Sequence, residues 1–195
     1  MKRVAALCVR ADTIYLTFQG VDCYGARRDA RSYAGPFPVI AHPPCAQWGR
    51  LKGLANDNAL ERELGPFCVA TVRQWGGVLE HPAASSLWDE CGIAKPGATD
   101  DWGFTLSLPQ AWFGHRADKA SWFYVCGIPP SDLVPLPVPV FNGSLPIEGM
   151  TQREREATPP TLAAWLVAMA RRAKPGRRPA TWKPSQVIEA EGVLF

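Results

Sequence analysis

The chain has 195 residues, 47% of them hydrophobic and 20% charged. That size and balance suit a single domain with an ordinary core, which needs neither disulfides nor metal ions to hold it. A formal net charge of +3 is too small by itself to argue for a nucleic-acid partner, although Arg171, Arg172, Lys174, Arg177, Arg178 and Lys183 crowd one C-terminal stretch that can attract phosphate. Six cysteines stand at 8, 23, 45, 68, 91 and 126, widely spaced and with no Cys-x-x-Cys pair. Met1-Lys2-Arg3 leads into only six apolar residues, too few for a signal peptide or a membrane span. The expectation is therefore a cytoplasmic protein with reduced cysteines and no membrane partner.

In chain order, Val4–Val9 is a continuous apolar run, the pattern of a strand buried on both faces. Thr13–Phe18 fits a brief helix or a strand, Val21–Tyr24 a short strand, and Arg27–Arg31 a polar surface loop. Pro38–His42 is a strand ended by Pro43-Pro44. Asn56–Trp75 is helical, with Gly65-Pro66 expected to break it into two pieces. Gly77–Glu80 is a strand stopped by His81-Pro82, and Ala83–Cys91 a short helix with Gly92 beyond its end. Trp122–Cys126 is a strand, and the proline-rich Ile128–Pro146 an extended connection. Pro159–Arg172 is a helix with Thr158 as its cap and Leu162, Trp165, Leu166 and Met169 along one face. The domain is expected over 1–173, with 174–195 a basic, loosely ordered tail.

Strands alternating with helices predict an α/β domain of three layers, a mostly parallel sheet covered by helices on both faces. Such sheets bind ligands beyond the carboxyl ends of their strands. Here two clear strands end in reactive clusters, His42-Pro43-Pro44-Cys45 and Glu80-His81-Pro82. Prolines fix the backbone around Cys45 and hold its thiol at the sheet edge, where nearby cations would favour the nucleophilic thiolate. Glu80 at the end of an apolar strand is expected to be partly buried, which raises a carboxyl pKa and lets it share a proton. A third cluster, Gln110 to Tyr124, carries His115, Arg116 and Lys119 as donors for a phosphate or carbonyl oxygen.

Val39-Ile-Ala-His-Pro-Pro-Cys45, Gly77-Val-Leu-Glu-His-Pro82 and Gln110–Tyr124, in that order, resemble the successive core motifs of DNA cytosine methyltransferases acting at ring carbon 5. The likeness is closest to small phage-encoded proteins of that type. It implies a Rossmann-like methyltransferase-type fold, DNA or a nucleotide as partner, and a phage or bacterial origin. It also implies three catalytic residues: Cys45 adding to carbon 6 of the base, Glu80 binding ring nitrogen 3 and the exocyclic amine, and Arg116 holding the base oxygen. His42, Pro44, Gln47, His81, Gln110, His115 and Lys119 are the neighbouring candidates for substrate contact. The implied cofactor is S-adenosylmethionine. The family's Gly-rich turn after the first strand is replaced here by Arg10-Ala11-Asp12-Thr13, so Arg10, Asp12 and Asp22 are the candidate cofactor residues.

Three readings follow. The first is a pyrimidine-base-modifying enzyme. The second is a protein of this fold that does not use S-adenosylmethionine, either another base- or nucleotide-modifying enzyme or an inactive nucleic-acid-binding module, such as one used by a phage against host defence. The third is metal-dependent hydrolysis, in which His42, His81 and His115 join Cys45 or Glu80 around zinc.

Overall fold

The computed structural model describes residues 1–25, 27–49, 58–139, 146 and 149–176. The run Val4–Val9 forms strand β1, and Val4 to Leu7 are wholly buried. On either side of β1 lie β2 (Val21–Gly25) and β3 (Val39–Ala41), both parallel to it, and β3 pairs in parallel with β4 (Gly77–Pro82). Beyond β4 the direction reverses. β6 (Ala120–Cys126) is antiparallel to β4, and β5 (Gly103–Pro109) is antiparallel to β6. Across the sheet the order is β2-β1-β3-β4-β6-β5.

The α/β expectation holds, and the sheet is mixed, with β6 alone running against the other five strands. Residues 110–119 between β5 and β6 carry only one 3-10 turn, Gln110–Phe113. A parallel crossover takes a dozen or more residues, so a link this short can only return the chain beside itself.

Strand alternation sorts the core into two faces. Ala5, Leu7, Val39, Ala41, Leu79 and Tyr124 pack with Phe67, Cys68, Val69 and Val72 of α1 (Ala59–Trp75). Val4, Ala6, Ile40, Val78 and Val125 pack with Leu162, Trp165, Leu166 and Met169 of α4 (Pro160–Arg172). The result is the expected three layers. Each fully buried Leu, Ile or Val side chain contributes about 1.5–3 kcal/mol, so these two faces outweigh any surface ion pair.

Several elements depart from expectation. α1 is one helix running through Gly65-Pro66. Asn58 caps its start, its side chain accepting the Glu61 N–H at 3.1 Å, while residues 56 and 57 lie outside the described residues. Pro66 removes one helical hydrogen bond, but the buried residues just after it anchor the helix to the sheet, and a side chain at Gly65 would lie 2.8–2.9 Å from Leu87 and Trp48. Tertiary packing overrides the local break. The expected helix over 83–91 shrinks to α2 (Leu87–Glu90), and Thr13–Phe18 is a 3-10 helix, Ile14–Thr17.

β4 runs on through His81 and Pro82 because β6 supplies partners, Trp122 and Ser121, for those residues. Strand β5 and the five-residue helix α3 (Gln152–Glu156) were not anticipated. Thr158 does not cap α4; Pro159 occupies that position. Of the expected tail, residues 174–176 are tied to the body: Lys174 donates its N–H to the Gly127 carbonyl and Gly176 to that of Gln74. Residues 177–195 lie outside the described residues.

Two glycines separate two reasons for needing glycine. Gly92 and Gly77 both have left-handed φ, 56° and 124°, but a Cβ on Gly77 would also sit 1.9 Å from the Val39 carbonyl oxygen, whereas Gly92 has open space. Gly92→Ala should cost about 1 kcal/mol of backbone strain and Gly77→Ala at least about 2–4 kcal/mol, because β3 and β4 must also separate. Urea midpoints of the two variants test this; equal losses would mean that only φ matters.

Candidate functional site

After β1 the chain crosses to β2 on one side, and after β3 it crosses through α1 to β4 on the other. The carboxyl ends of β1 and β3 are thus the point where the sheet's winding switches direction, which opens a crevice between the diverging connections. A cavity of about 430 Å³ occupies it, within the usual size of small-molecule sites. Its walls come from the end of β1 (Cys8 to Ile14), from His42 to Cys45 after β3, and from Glu80 to Pro82 at the end of β4. Gln110 and Lys119 close the far side, and Arg153, Glu156 and Thr158 stand at the α3 side.

Glu80 lies at the centre of the polar network. By alternation it follows Val78 onto the α4 face of the sheet, and it is 6% exposed. Its Oε1 accepts the Ser121 hydroxyl at 2.6 Å and the Gln110 amide at 2.8 Å, and its Oε2 lies 3.0 Å from His42 Nδ1. Burial alone would raise this carboxyl. The Lys119 ammonium and the hydrogen bonds and charge of His42 and Ser121 outweigh burial, so the carboxyl stays well below the ordinary range and is ionised. This reverses the expected upward shift.

An ionised Glu80 can only accept, so His42 Nδ1 carries a hydrogen and donates it. His42 Nε2 then faces the Tyr15 hydroxyl at 2.9 Å. Tyr15 is wholly buried, and burial first, then the Glu80 charge, drives its pKa well above normal, so the phenol keeps its proton.

Cys45 sits in the exposed turn after Pro43-Pro44. Its carbonyl accepts the N–H groups of Trp48 and Gly49 at 3.1 and 2.7 Å, and the Trp48 carbonyl in turn accepts the Ser86 N–H at 3.0 Å. The thiol's position is therefore fixed by a turn pinned to the start of α2. Partial desolvation at the cavity wall raises the thiol's pKa, and the Lys119 charge opposes that shift.

The cavity brings together Cys45, Glu80, His42, Pro44, His81, Gln110, Lys119, Arg10 and Asp12. Arg116 is not among its walls. Its guanidinium is 64% exposed and paired with Glu154 at 2.6 Å, because the turn ending at Lys119 aims residue 116 outward. Lys119 is the cation that faces Glu80 and Cys45. Gln47 is buried outside the lining. His115 is also buried outside it, where its Nδ1 accepts the Ala117 N–H at 3.0 Å. Among the described residues no group of three His, Cys, Asp or Glu side chains is placed to hold a metal ion, and His115 lies outside the cavity that His42 and His81 line. The sequence reading missed Tyr15, Ser121 and the pair Arg153 and Glu156. Only Ser121 had a signal, a small polar residue one step before the β6 aromatics.

The three candidate cofactor residues do not all converge at the β1 end. Asp22 pairs in register with Ala5, four residues before Val9, which puts it about 13 Å below the rim at about 3.3 Å per residue. Its carboxylate binds Arg3. Arg10 and Asp12 do reach the cavity, but they are committed elsewhere. Arg10 bonds Asp12 at 3.0 Å and Glu156 at 2.8 Å, and Arg153 bonds Asp12 at 2.9 Å. Bulky side chains thus stand where a glycine turn would bring backbone N–H groups to a ligand. No protein-family model matches the chain, and no curated protein is significantly similar to it.

The site's buried His81 carries a stability signature. Desolvation lowers its pKa from 6.5 to about 4, with Glu80 opposing. Between those values the unfolded chain binds a proton that the folded chain refuses, so stability is complete above pH 6.5 and falls as the pH drops through this window. The loss from pH 7 to pH 5 should be about 2 kcal/mol. Glu80, whose pKa is depressed, adds its own loss only below its unfolded value of 4.5. His81→Gln should abolish most of the loss between pH 7 and 5, measured as urea midpoints at both pH values; an unchanged slope would place the titrating group elsewhere.

Proposed function

We propose that this chain is a pyrimidine-base-modifying enzyme whose base-binding rim resembles that of the carbon-5 cytosine methyltransferases, with Cys45 as nucleophile. The observation that carries this reading is the convergence of Cys45, Glu80 and Lys119, from three distant stretches, on one cavity at the switch point of an α/β sheet. The order of the sequence motifs and the parallel β2-β1-β3-β4 half of the sheet support it. The ligand in this reading is a cytosine nucleotide, free or as a base turned out of DNA, since the cavity has room for one base and its sugar.

The chain's own residues are enough for one ring reaction. The Cys45 sulfur bonds to carbon 6 as its thiol proton leaves for water, and the electron pair of the ring's 5,6 double bond moves to carbon 5. Lys119 stabilises the thiolate that forms during attack. Carbon 5 takes a proton from water, later loses its original hydrogen as a proton, and the returning pair expels Cys45. The net change is exchange of the carbon-5 hydrogen with water, with no oxidant or reductant. Glu80 serves as an acceptor for the exocyclic amine. Three of about four acceptor sites on its carboxylate are taken by Ser121, Gln110 and His42, leaving one for the base. The same engagement favours a second reading, a module that holds a base without chemistry.

Cytidine monophosphate and single-stranded DNA tritiated at carbon 5 test both. The enzyme should release tritium to water, Cys45→Ser should lower the rate at least about 100-fold, and Lys119→Met about tenfold, through loss of the charge that favours the thiolate. Arg116→Ala should stay within about twofold, as an exposed ion pair far from the chemistry. Protection of Cys45 from alkylation by these ligands without tritium release would select the binding module. With neither protection nor release, both readings fail.

A further inference from the structure

The cavity has a second thiol that the ring chemistry does not use. Cys8 lies in β1 where the register against β2 slips between Leu7 and Val9, and it has φ 57°, among the described residues the one positive value outside glycine. A regular strand would point Leu7 and Cys8 to opposite faces. The slip instead turns Cys8 onto the same face as Leu7, against α1. There its sulfur stands 3.6 Å from that of Cys68, which is wholly buried in α1. Cys8 is half-buried and is one of the residues that line the cavity, whereas Cys68 is buried and is not among them.

We propose that Cys8 and Cys68 form a peroxide-responsive dithiol, with Cys8 the site of oxidation and Cys68 the residue that resolves it. The Cys8 sulfur, as thiolate, attacks one oxygen of hydrogen peroxide: an S–O bond forms, the O–O bond breaks, and the departing hydroxide leaves as water after taking a proton. The Cys68 thiol then gives up its proton and its sulfur attacks the Cys8 sulfur. The S–S bond forms, the S–O bond breaks, and the second oxygen leaves as water with that proton. The two sulfurs lose two electrons in all and the peroxide gains them. From 3.6 Å the sulfurs need to approach by about 1.5 Å to reach bonding distance. The disulfide would withdraw the Cys8 thiol from the cavity wall and tie the end of β1 to α1. Neither Cys45 nor Glu80 takes part, so this pair stands or falls apart from the proposed reaction.

The test is brief treatment of the folded, full-length chain with hydrogen peroxide, alkylation of the remaining thiols, and non-reducing peptide mapping. The expected product joins the tryptic peptides Val4–Arg10 and Glu63–Arg73 with the loss of two hydrogens, and dithiothreitol reverses it. The Cys8 and Cys68 thiols should disappear in parallel. In a Cys68→Ala chain the sulfenic acid at Cys8 should persist and be trapped by dimedone. The proposal is overturned if Cys68 stays free at a peroxide dose that fully oxidises the exposed Cys45, or if Cys8 is recovered joined to Cys45 across the cavity. The native-chain map decides this even if the variant does not fold.

Discussion

A buried, ionised carboxylate is the constraint on which this site depends. Taking a charge out of water costs several kcal/mol unless hydrogen bonds and an opposite charge replace the solvent. Glu80 meets that cost with donors drawn from four places in the chain: His42 after β3, Gln110 after β5, Ser121 in β6, and the Lys119 charge just before it. Each donor can act only if its strand ends at the same rim. The carboxylate therefore binds the sheet edge together while it polarises the cavity. Tyr15 extends the network to the segment after β1, so all the strands lining the crevice feel one charge.

The reversal of β6 matters for the same reason. In a wholly parallel sheet only carboxyl ends meet at the rim. Because β6 runs the other way, its amino end arrives there, opposite Pro82, and brings Ser121 and Lys119 to Glu80. The mixed sheet thus adds a hydroxyl and an ammonium that parallel strands would have left at the opposite edge.

Much of this was legible in the sequence. The apolar runs of β1, β3 and β4 and the one-sided pattern of α4 marked the layers, and the clusters at 42–45 and 80–82 marked the rim. Strand β5 alternates Phe104, Leu106 and Leu108 with Thr105 and Ser107, a readable period-two pattern. Helix α3 announces itself by the capping box Thr151 and Glu154. Other features had no local signal. The sign of the Glu80 shift depends on partners 30 to 41 residues away, and the choice between Arg116 and Lys119 depends on how a turn aims two cations three residues apart. Continuity of α1 through Pro66 is decided by the sheet beneath it, which no window of the sequence contains.

The clasp beside the cavity has a different character from its walls. α3 buries none of its residues, and it meets the rim through Arg10 with Glu156 and Asp12 with Arg153, all of them exposed ion pairs. Such pairs contribute little to folding, and dissolved ions screen them. Raising the ionic strength would therefore loosen the doorway while leaving the floor intact. Traffic of solutes in and out of the crevice becomes a property of the surrounding electrolyte, set apart from the packing that keeps the protein folded.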